Sequence, residues 1–172
     1  MRKYEFRWAL LGDVDEGRPH LGSEVDVAIY RLMQFTLRDV LEGKYGAEET
    51  DIVFFDAGKT AGIHFYHHFI EPVGTLDEFV RKTQHILKDK KIGIFRVENL
   101  REDETLVLTV DEDLDCSGLP ELDTEICVYD EGFLAGLLEG FTGVPWTVKE
   151  VDCWCAGART CRFEASAIEQ RI

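Results

Sequence analysis

The cysteines constrain the fold of this chain most strongly. Three of the five, Cys153, Cys155 and Cys161, lie within nine residues, and Cys116 and Cys127 precede them. The N-terminus lacks the apolar segment of a signal peptide, which predicts a cytoplasmic chain whose cysteines are reduced. Clustered cysteines in a reducing compartment are most commonly metal ligands. We therefore expect the fold to bring these side chains together.

A β-hairpin centred on Gly157 would pair two of these cysteines. Strands over 146–155 and 160–165 place Cys153 opposite Cys161 and Cys155 opposite Arg159. Directly opposed residues have β-carbons about 4.5–5.5 Å apart. That separation suits two thiolates on one zinc ion, with Zn–S distances of about 2.3 Å. The hairpin would supply two of the four ligands of a tetrahedral site.

The spacing leaves the other ligands open. Cys155 shares a strand face with Cys153, Glu150 lies just upstream, and Cys127 could approach from another element. Four thiolates would form a closed structural site, whereas a carboxylate is a harder and more exchangeable ligand. Glu150 and Cys153 have opposite parity on a regular strand, so binding by both requires a bulge between them. Reduced, buried cysteines without a metal are the alternative, and Cys116 is interpreted as a turn residue near the site.

The remaining sequence predicts a single α+β domain over residues 1–172, with helices packed on a mainly antiparallel sheet. A capping box at 75–78 marks one helix start, and Gly143 marks the end of another. The turn 56–59 is predicted to introduce a short helix. The predicted elements are helices over 24–46, 61–70 and 75–89, strands over 92–98 and 104–110, a helix over 121–142 and the hairpin.

Two of these helices have unusual compositions. The helix over 24–46 is apolar around most of its circumference, so more than one side must be covered. It is either a homodimer interface or the central core helix of a monomer. In the helix over 121–142, Gly132, Gly136 and Gly140 recur every four residues. This stripe predicts a close backbone approach, in helix packing or against a ligand.

Three histidines near the middle of the chain allow three interpretations. His64, His67 and His68 are spaced so that two imidazoles can share a helix face, and with Glu71 they could form a catalytic His2Glu zinc site. Together with the neighbouring Phe65 they could equally line a ligand pocket. Ordinary packing or surface positions are the third interpretation.

The C-terminal part of the chain resembles a known family. The residues that carry the resemblance are 129–136 (YDEGFLAG), 150–157 (EVDCWCAG) and 161–163 (CRF). They are similar to the 4-vinyl reductase-like, or hydrocarbon-binding, domain family, which includes the sensory domains of phenol-responsive transcription activators. The close match covers roughly residues 120–165.

The resemblance implies a fold, a metal and a type of function. The fold would be similar to that of vesicle-tethering-complex subunits. The zinc ligands would be a Cys, a Glu and two Cys, which correspond here to Cys127, Glu150, Cys153 and Cys161, with Cys155 as a neighbour. The ligand would be a small aromatic or hydrocarbon-like molecule.

Two functions from different classes follow from this interpretation. The first is a non-catalytic binding or sensory domain, with a pocket predicted at His64, Phe65, His68, Phe69, Phe141 and Trp146. The second is an enzyme or accessory factor in tetrapyrrole vinyl-group reduction, although the chain has no Gly-x-Gly-x-x-Gly signature. A formal net charge of −15 argues against nucleic-acid or anionic-membrane partners, and no apolar run reaches the roughly 18 residues of a membrane span.

Overall fold

The computed structural model describes residues 3–100, 105–122 and 126–168. Four long helices pack with one four-stranded sheet, which confirms the α+β class. A 3-10 turn at Trp8–Leu11 and a π-helical turn at Tyr66–Ile70 complete the helical segments. The helices are α1 (Val14–Gly17), α2 (Val27–Tyr45), α3 (Ala47–Phe65), α4 (Leu76–Asp89) and α5 (Val128–Thr142), and the strands are β1 (Ile94–Leu100), β2 (Leu106–Asp111), β3 (Trp146–Asp152) and β4 (Cys161–Ala167).

The sheet is antiparallel throughout, in the order β1-β2-β4-β3. The strands β1 and β2 begin slightly later than predicted, and residue 104 of the predicted second strand lies outside the described residues. The predicted C-terminal hairpin is formed by β3 and β4, with Asp152 opposite Arg162.

The hairpin is irregular near its turn. The pairing shifts between Glu150 and Asp152, at the position where a bulge is required for Glu150 and Cys153 to approach one site. Residues Trp154–Ala156 form a 3-10 turn instead of continuing the strand, so the predicted pairing of Cys155 with Arg159 is wrong.

The glycine stripe of α5 packs against α3. A Cβ at Gly132 would lie 2.1 Å from the backbone oxygen of Phe55, and one at Gly136 would lie 2.2 Å from that of Lys59. Gly62 of α3 faces the α5 backbone equally closely. The sequence of α5 predicts this close approach, and it is an approach of two helices rather than of a helix and the sheet.

The prediction for the helix over 61–70 is wrong at its start. The helix α3 runs without a break from Ala47 to Phe65, through the segment 56–59 whose composition predicts a turn. Gly58 lies in this segment because its missing side chain admits the α5 backbone, and a Cβ there would meet the carbonyl oxygen of Tyr129 at 2.0 Å. A glycine that permits helix packing has the same sequence signature as a glycine that permits a turn.

The other helix ends agree better with the sequence. Thr75 caps α4 by accepting a hydrogen bond from the Glu78 N–H, as the capping box predicts. Gly143 ends α5 in the left-handed conformation, with φ of 74°. The predicted start of α5 is too early, because the helix begins at Val128, and residues 123–125 of the predicted segment lie outside the described residues.

The helix α2 matches the predicted helix over 24–46 but buries little of its apolar surface. It begins at Val27, capped by the Asp26 side chain, and Gln34 is its buried residue. The interpretation as a central core helix is therefore wrong for the single chain. The large apolar side chains of α2 that are exposed are Val27, Ile29, Leu32, Met33, Leu37, Val40 and Tyr45.

Candidate metal centre and ligand cavity

Four buried thiols come together near the turn of the C-terminal hairpin. The Sγ atoms of Cys116, Cys127, Cys153 and Cys161 all lie within 4.8 Å of one another. The Sγ of Cys127 is 3.8 Å from that of Cys153 and 4.0 Å from that of Cys161, and the Sγ atoms of Cys116 and Cys161 are 3.1 Å apart. These four side chains, called the cysteine cluster below, could hold a metal ion.

Each thiol comes from a different element end. Cys116 lies in the turn after β2, Cys127 is the residue before α5, Cys153 follows the bulged end of β3, and Cys161 begins β4. The bulge after Glu150 brings the end of β3 into the register in which Cys153 faces Cys161. The cluster therefore joins the hairpin, the start of α5 and the loop that leaves β2.

The cluster fits a tetrahedral zinc ion. Four thiolates at about 2.3 Å from one centre are about 3.8 Å apart, which is close to the separations of Cys127 from Cys153 and Cys161. All five cysteines are free and buried. A buried group of four soft thiolate donors favours zinc over magnesium or calcium, which prefer oxygen ligands.

Glu150 lies beside the cluster. It is 2 % exposed, and its Oε2 accepts a hydrogen bond of 3.3 Å from the backbone N–H of Cys127. Its Oε1 is buried and has no hydrogen-bond partner among the described residues. Burial, together with the charges of Cys153 and Cys161, raises the pKa of Glu150 to about 10. A metal dication at the cluster would act in the opposite direction, by favouring the ionised carboxylate.

Cys155 is also buried but is held elsewhere. It lies in the 3-10 turn after Cys153, where its carbonyl oxygen accepts a hydrogen bond from the Leu122 N–H. Burial, followed by the charge of Cys153, raises the pKa of the Cys155 thiol to about 12.

The structure thus brings together three of the four predicted metal ligands, Cys127, Cys153 and Cys161, with Glu150 next to them. Cys116 joins them directly, whereas the sequence suggests only a turn near the site. The signal that could have found Cys116 is the pairing of β2 with β4, which places Val110 opposite Cys161 and so carries the chain after β2 past the cluster.

An apolar cavity of about 590 Å³ lies beside α3 and α5, in the size range of small-molecule pockets. The two helices form one wall, and the N-terminal segment contributes Phe6, Trp8 and Leu11. The remaining lining residues are Tyr30, Ala57, Thr60, Ala61, Phe65, Ile92, Leu114, Asp115, Tyr129, Asp130 and Phe133.

One end of the cavity is acidic and adjoins the cysteine cluster. Asp115 accepts hydrogen bonds from the Tyr30 hydroxyl at 2.8 Å and from the Gln34 amide at 2.6 Å. Burial and the charges of Asp113 and Asp115 raise the pKa of Asp130. Carboxylate oxygens of Asp113 and Asp130 lie within 4.8 Å of each other and of the Cys127 Sγ. The acidic end of the cavity and the candidate metal site therefore share one set of segments.

The predicted pocket residues fall in different places. Phe65 lines the cavity. His64 packs edge-on against Phe6, and His68 stacks on Trp8, so both contact the N-terminal segment that lines the cavity. Phe69 also meets Trp8.

The other two predicted pocket residues lie outside this lining. Phe141 stacks on Phe79 of α4, and the Trp146 indole N–H donates to the Thr142 hydroxyl. His67 pairs with Glu71 at 2.8 Å on the surface. Among residues 3–100, 105–122 and 126–168, no histidine joins a group of three or more candidate metal ligands.

Comparison with known proteins identifies the C-terminal segment. Residues 106–167 match the 4-vinyl reductase domain, which confirms the resemblance and extends it to β2. Two uncharacterized proteins of Methanocaldococcus jannaschii, MJ1642 and MJ0150, are each 26 % identical to the chain. The alignments cover 88 % of this chain and 83 % of the first relative, and 83 % of this chain and 76 % of the second.

Solved structures share the fold at low sequence identity. A vinyl-4-reductase family protein from M. jannaschii has a TM-score of 0.62 at 16 % identity, over 86 % of this chain and 85 % of that one. The phenol-responsive sensory domain of the transcription activator PoxR, with phenol, has a TM-score of 0.60 at 12 % identity, over 82 % and 74 %. A trafficking protein particle complex subunit 3 from Naegleria fowleri, covalently bound to palmitic acid, reaches 0.63 at 14 %, over 83 % and 95 %. The predicted likeness to a vesicle-tethering subunit is therefore confirmed. Within the described part of the chain, no helix is long and apolar enough to cross a membrane.

Proposed function

Because residues 106–167 match the 4-vinyl reductase domain, we propose that this chain is a small-molecule-binding sensory domain that binds its ligand without transforming it. The cavity of about 590 Å³ between α3, α5 and the N-terminal segment carries this proposal. Its lining is mostly aromatic and aliphatic with a few polar groups, as in small-molecule sites generally. The PoxR sensory domain, which has the same fold, was solved with phenol.

We further propose that a zinc ion in the cysteine cluster stabilises the domain. A metal held by four protein ligands has no open position for a substrate, so its role would be structural. Such a site stabilises folding directly, since the ligands are brought together only in the folded chain. Here the ion would tie the turn after β2, the start of α5 and the hairpin to one point.

The fourth zinc ligand is either Cys116 or Glu150. The sulfur separations support Cys116 with Cys127, Cys153 and Cys161. The family resemblance supports Glu150, whose buried Oε1 has no partner in the described part of the chain. In the first case Glu150 would accept a hydrogen bond at the edge of the site, and in the second Cys116 would be a neutral thiol beside it.

Variants of the two candidates separate these ligand sets. Zinc should be measured by elemental analysis in purified Cys116→Ser, Glu150→Gln and Cys155→Ser proteins, with the wild type at about one ion per chain. We expect Cys116→Ser to lose zinc and Glu150→Gln and Cys155→Ser to retain it. Loss in Glu150→Gln alone would assign Glu150, and a folded, reduced wild type with no metal would end the zinc proposal.

The binding role is tested by a thermal-shift screen of phenols, fatty acids, isoprenoids and tetrapyrroles, with turnover assayed on each hit. A ligand at a hundredfold excess over its dissociation constant stabilises the folded state by about 2.7 kcal/mol. Trp8 lines the cavity, so a true hit should also change its fluorescence, and Trp8→Phe should remove that change. No hit in any class, or catalytic turnover of a hit, would count against a pure binding role.

We also propose that the domain is a homodimer through α2. Seven large apolar side chains of this helix are exposed in the single chain, and contiguous apolar patches on soluble proteins commonly mark interaction sites. Sedimentation at micromolar concentration should report a dimer, and a monomer at that concentration would contradict the proposal. The cytoplasmic setting predicted from the sequence remains part of this proposal.

A further inference from the structure

The cavity has an acidic end and an uncharged remainder. Asp115 and Asp130 line this end, and Asp113 lies next to Asp130. Among the described residues that line the cavity there is no lysine, arginine or histidine. An uncompensated carboxylate in an apolar environment is costly, so proteins pair such groups with hydrogen-bond donors or cations.

A neighbouring basic side chain, Arg31, is committed to the backbone. Its guanidinium donates to the carbonyl oxygens of Leu114 at 2.8 Å and Ser117 at 2.9 Å, and more weakly to that of Asp113. These contacts fix the turn after β2 rather than a carboxylate. One guanidinium therefore accompanies three carboxyl groups in this region, which leaves an excess of negative charge.

The three carboxyl groups differ in how well they are satisfied. Asp113 accepts hydrogen bonds from the backbone N–H groups of Asp115 and Cys116. Asp115 accepts from Tyr30 and Gln34. The Oδ2 of Asp130 is buried, and no described residue donates a hydrogen bond to it. Asp130 is therefore the group at this end of the cavity that needs a donor.

We infer that the ligand is an apolar molecule that carries a protonated amine, and that its ammonium group lies at Asp130 and Asp115 while its apolar body packs against Phe65, Phe133 and Trp8. This inference rests on the proposed binding function and names the ligand class. An ammonium group supplies both the missing donor and the missing positive charge. The aromatic walls suit the rest of such a molecule, because a cation next to aromatic faces gains a further electrostatic attraction.

A matched series of probes tests the charge requirement. We would measure by calorimetry the binding of 2-(1-naphthyl)ethylamine, 2-(1-naphthyl)ethanol and 1-naphthylacetate to the zinc-loaded protein. The amine should bind at least tenfold more tightly than the alcohol, and the carboxylate should bind most weakly. Equal or tighter binding of the alcohol or the carboxylate would overturn the inference but leave the proposed binding function intact, whereas failure of the whole screen described above would remove both.

Asp130→Asn tests the location, since it removes the charge and preserves the shape. It should reduce the amine's affinity at least tenfold and change the alcohol's affinity by less than about twofold. Asp39→Asn, at an exposed position on α2, makes the same change of net charge away from the cavity and should leave both affinities unchanged. A preference for the amine that survives Asp130→Asn would refute the assignment; Asp115→Asn provides a second variant if Asp130→Asn does not fold.

A second metal ion is the competing explanation for Asp130. Oxygens of Asp113 and Asp130 and the Cys127 sulfur are close enough to bind one together. Native mass spectrometry of the wild type distinguishes the two cases. One ion per chain supports the amine site, and two ions per chain, with the second lost in Asp130→Asn, would overturn it.

Discussion

The contact between α3 and α5 makes a sharp prediction for Gly136→Ala. A Cβ at Gly136 would lie 2.2 Å from the Lys59 carbonyl oxygen, 2.9 Å from the Ile63 nitrogen and 3.0 Å from the Gly62 Cα. All three atoms belong to the backbone, so no side chain can rotate away. To reach an ordinary contact of 3.4 Å, the helices must separate by about 1.2 Å at this point.

The size of the effect follows from two opposing contributions. Overpacking of a core costs about 1–3 kcal/mol, and the upper end applies here because helix backbones must move. A gap of about 0.5–1 Å also forfeits a quarter to a half of the dispersion attraction between the atoms it separates. Alanine is a better helix former than glycine by about 1 kcal/mol. We therefore expect Gly136→Ala to lower the free energy of unfolding by about 2 kcal/mol.

Gly43 provides the matched control. It lies inside α2, and a Cβ there would have no neighbour within 4 Å among the described residues. Gly43→Ala should therefore show the helix-propensity gain alone and raise the stability by up to about 1 kcal/mol. Urea unfolding at a fixed free zinc concentration measures both. If Gly136→Ala is as stable as the wild type, the close helix contact described above is wrong.

Three further changes test other parts of the structure. Chelation of the metal should lower the melting temperature of the wild type by many degrees and leave that of Cys161→Ser unchanged, because that variant should already lack the ion; equal shifts would contradict a structural metal. Ile29→Lys should shift the sedimentation of a dimer to that of a monomer without changing the circular dichroism, and an unchanged dimer would exclude α2 as the interface. Thr75→Ala should destabilise the domain by about 1 kcal/mol through loss of the α4 cap, whereas Thr75→Ser should retain most of the stability; equal losses in urea unfolding would show that the hydroxyl is not the cap.

The features that the sequence predicts correctly depend on local patterns. The capping box at Thr75, the left-handed end of α5 at Gly143 and the C-terminal hairpin all have signatures within a few residues. The bulge between Glu150 and Asp152 follows from the expectation that two residues of opposite parity meet at one site. Each of these predictions depends on covalent geometry and short-range hydrogen bonding, which neighbouring residues determine.

The errors concern contacts between distant segments. The pattern around Gly58 predicts a turn because nothing near it in sequence shows that the α5 backbone lies against it. Cys116 has the pattern of a turn residue for the same reason, since its approach to Cys161 depends on the pairing of β2 with β4. The cavity lining contributed by Phe6 and Trp8 comes from the N-terminal segment, which carries no periodic pattern that would predict it.

The attachment of α2 has a consequence for hydrogen exchange. Its links to the turn after β2 are polar, through Tyr30, Arg31 and Gln34, and its apolar side chains are largely in solvent. Detaching α2 from a single chain would thus expose little new apolar surface, so its amides should exchange through an opening that depends weakly on denaturant and on temperature. A second copy covering the helix would reverse this, and the protection of these amides would then rise with protein concentration. The helix that contributes least to the core is in this way the most direct reporter of assembly.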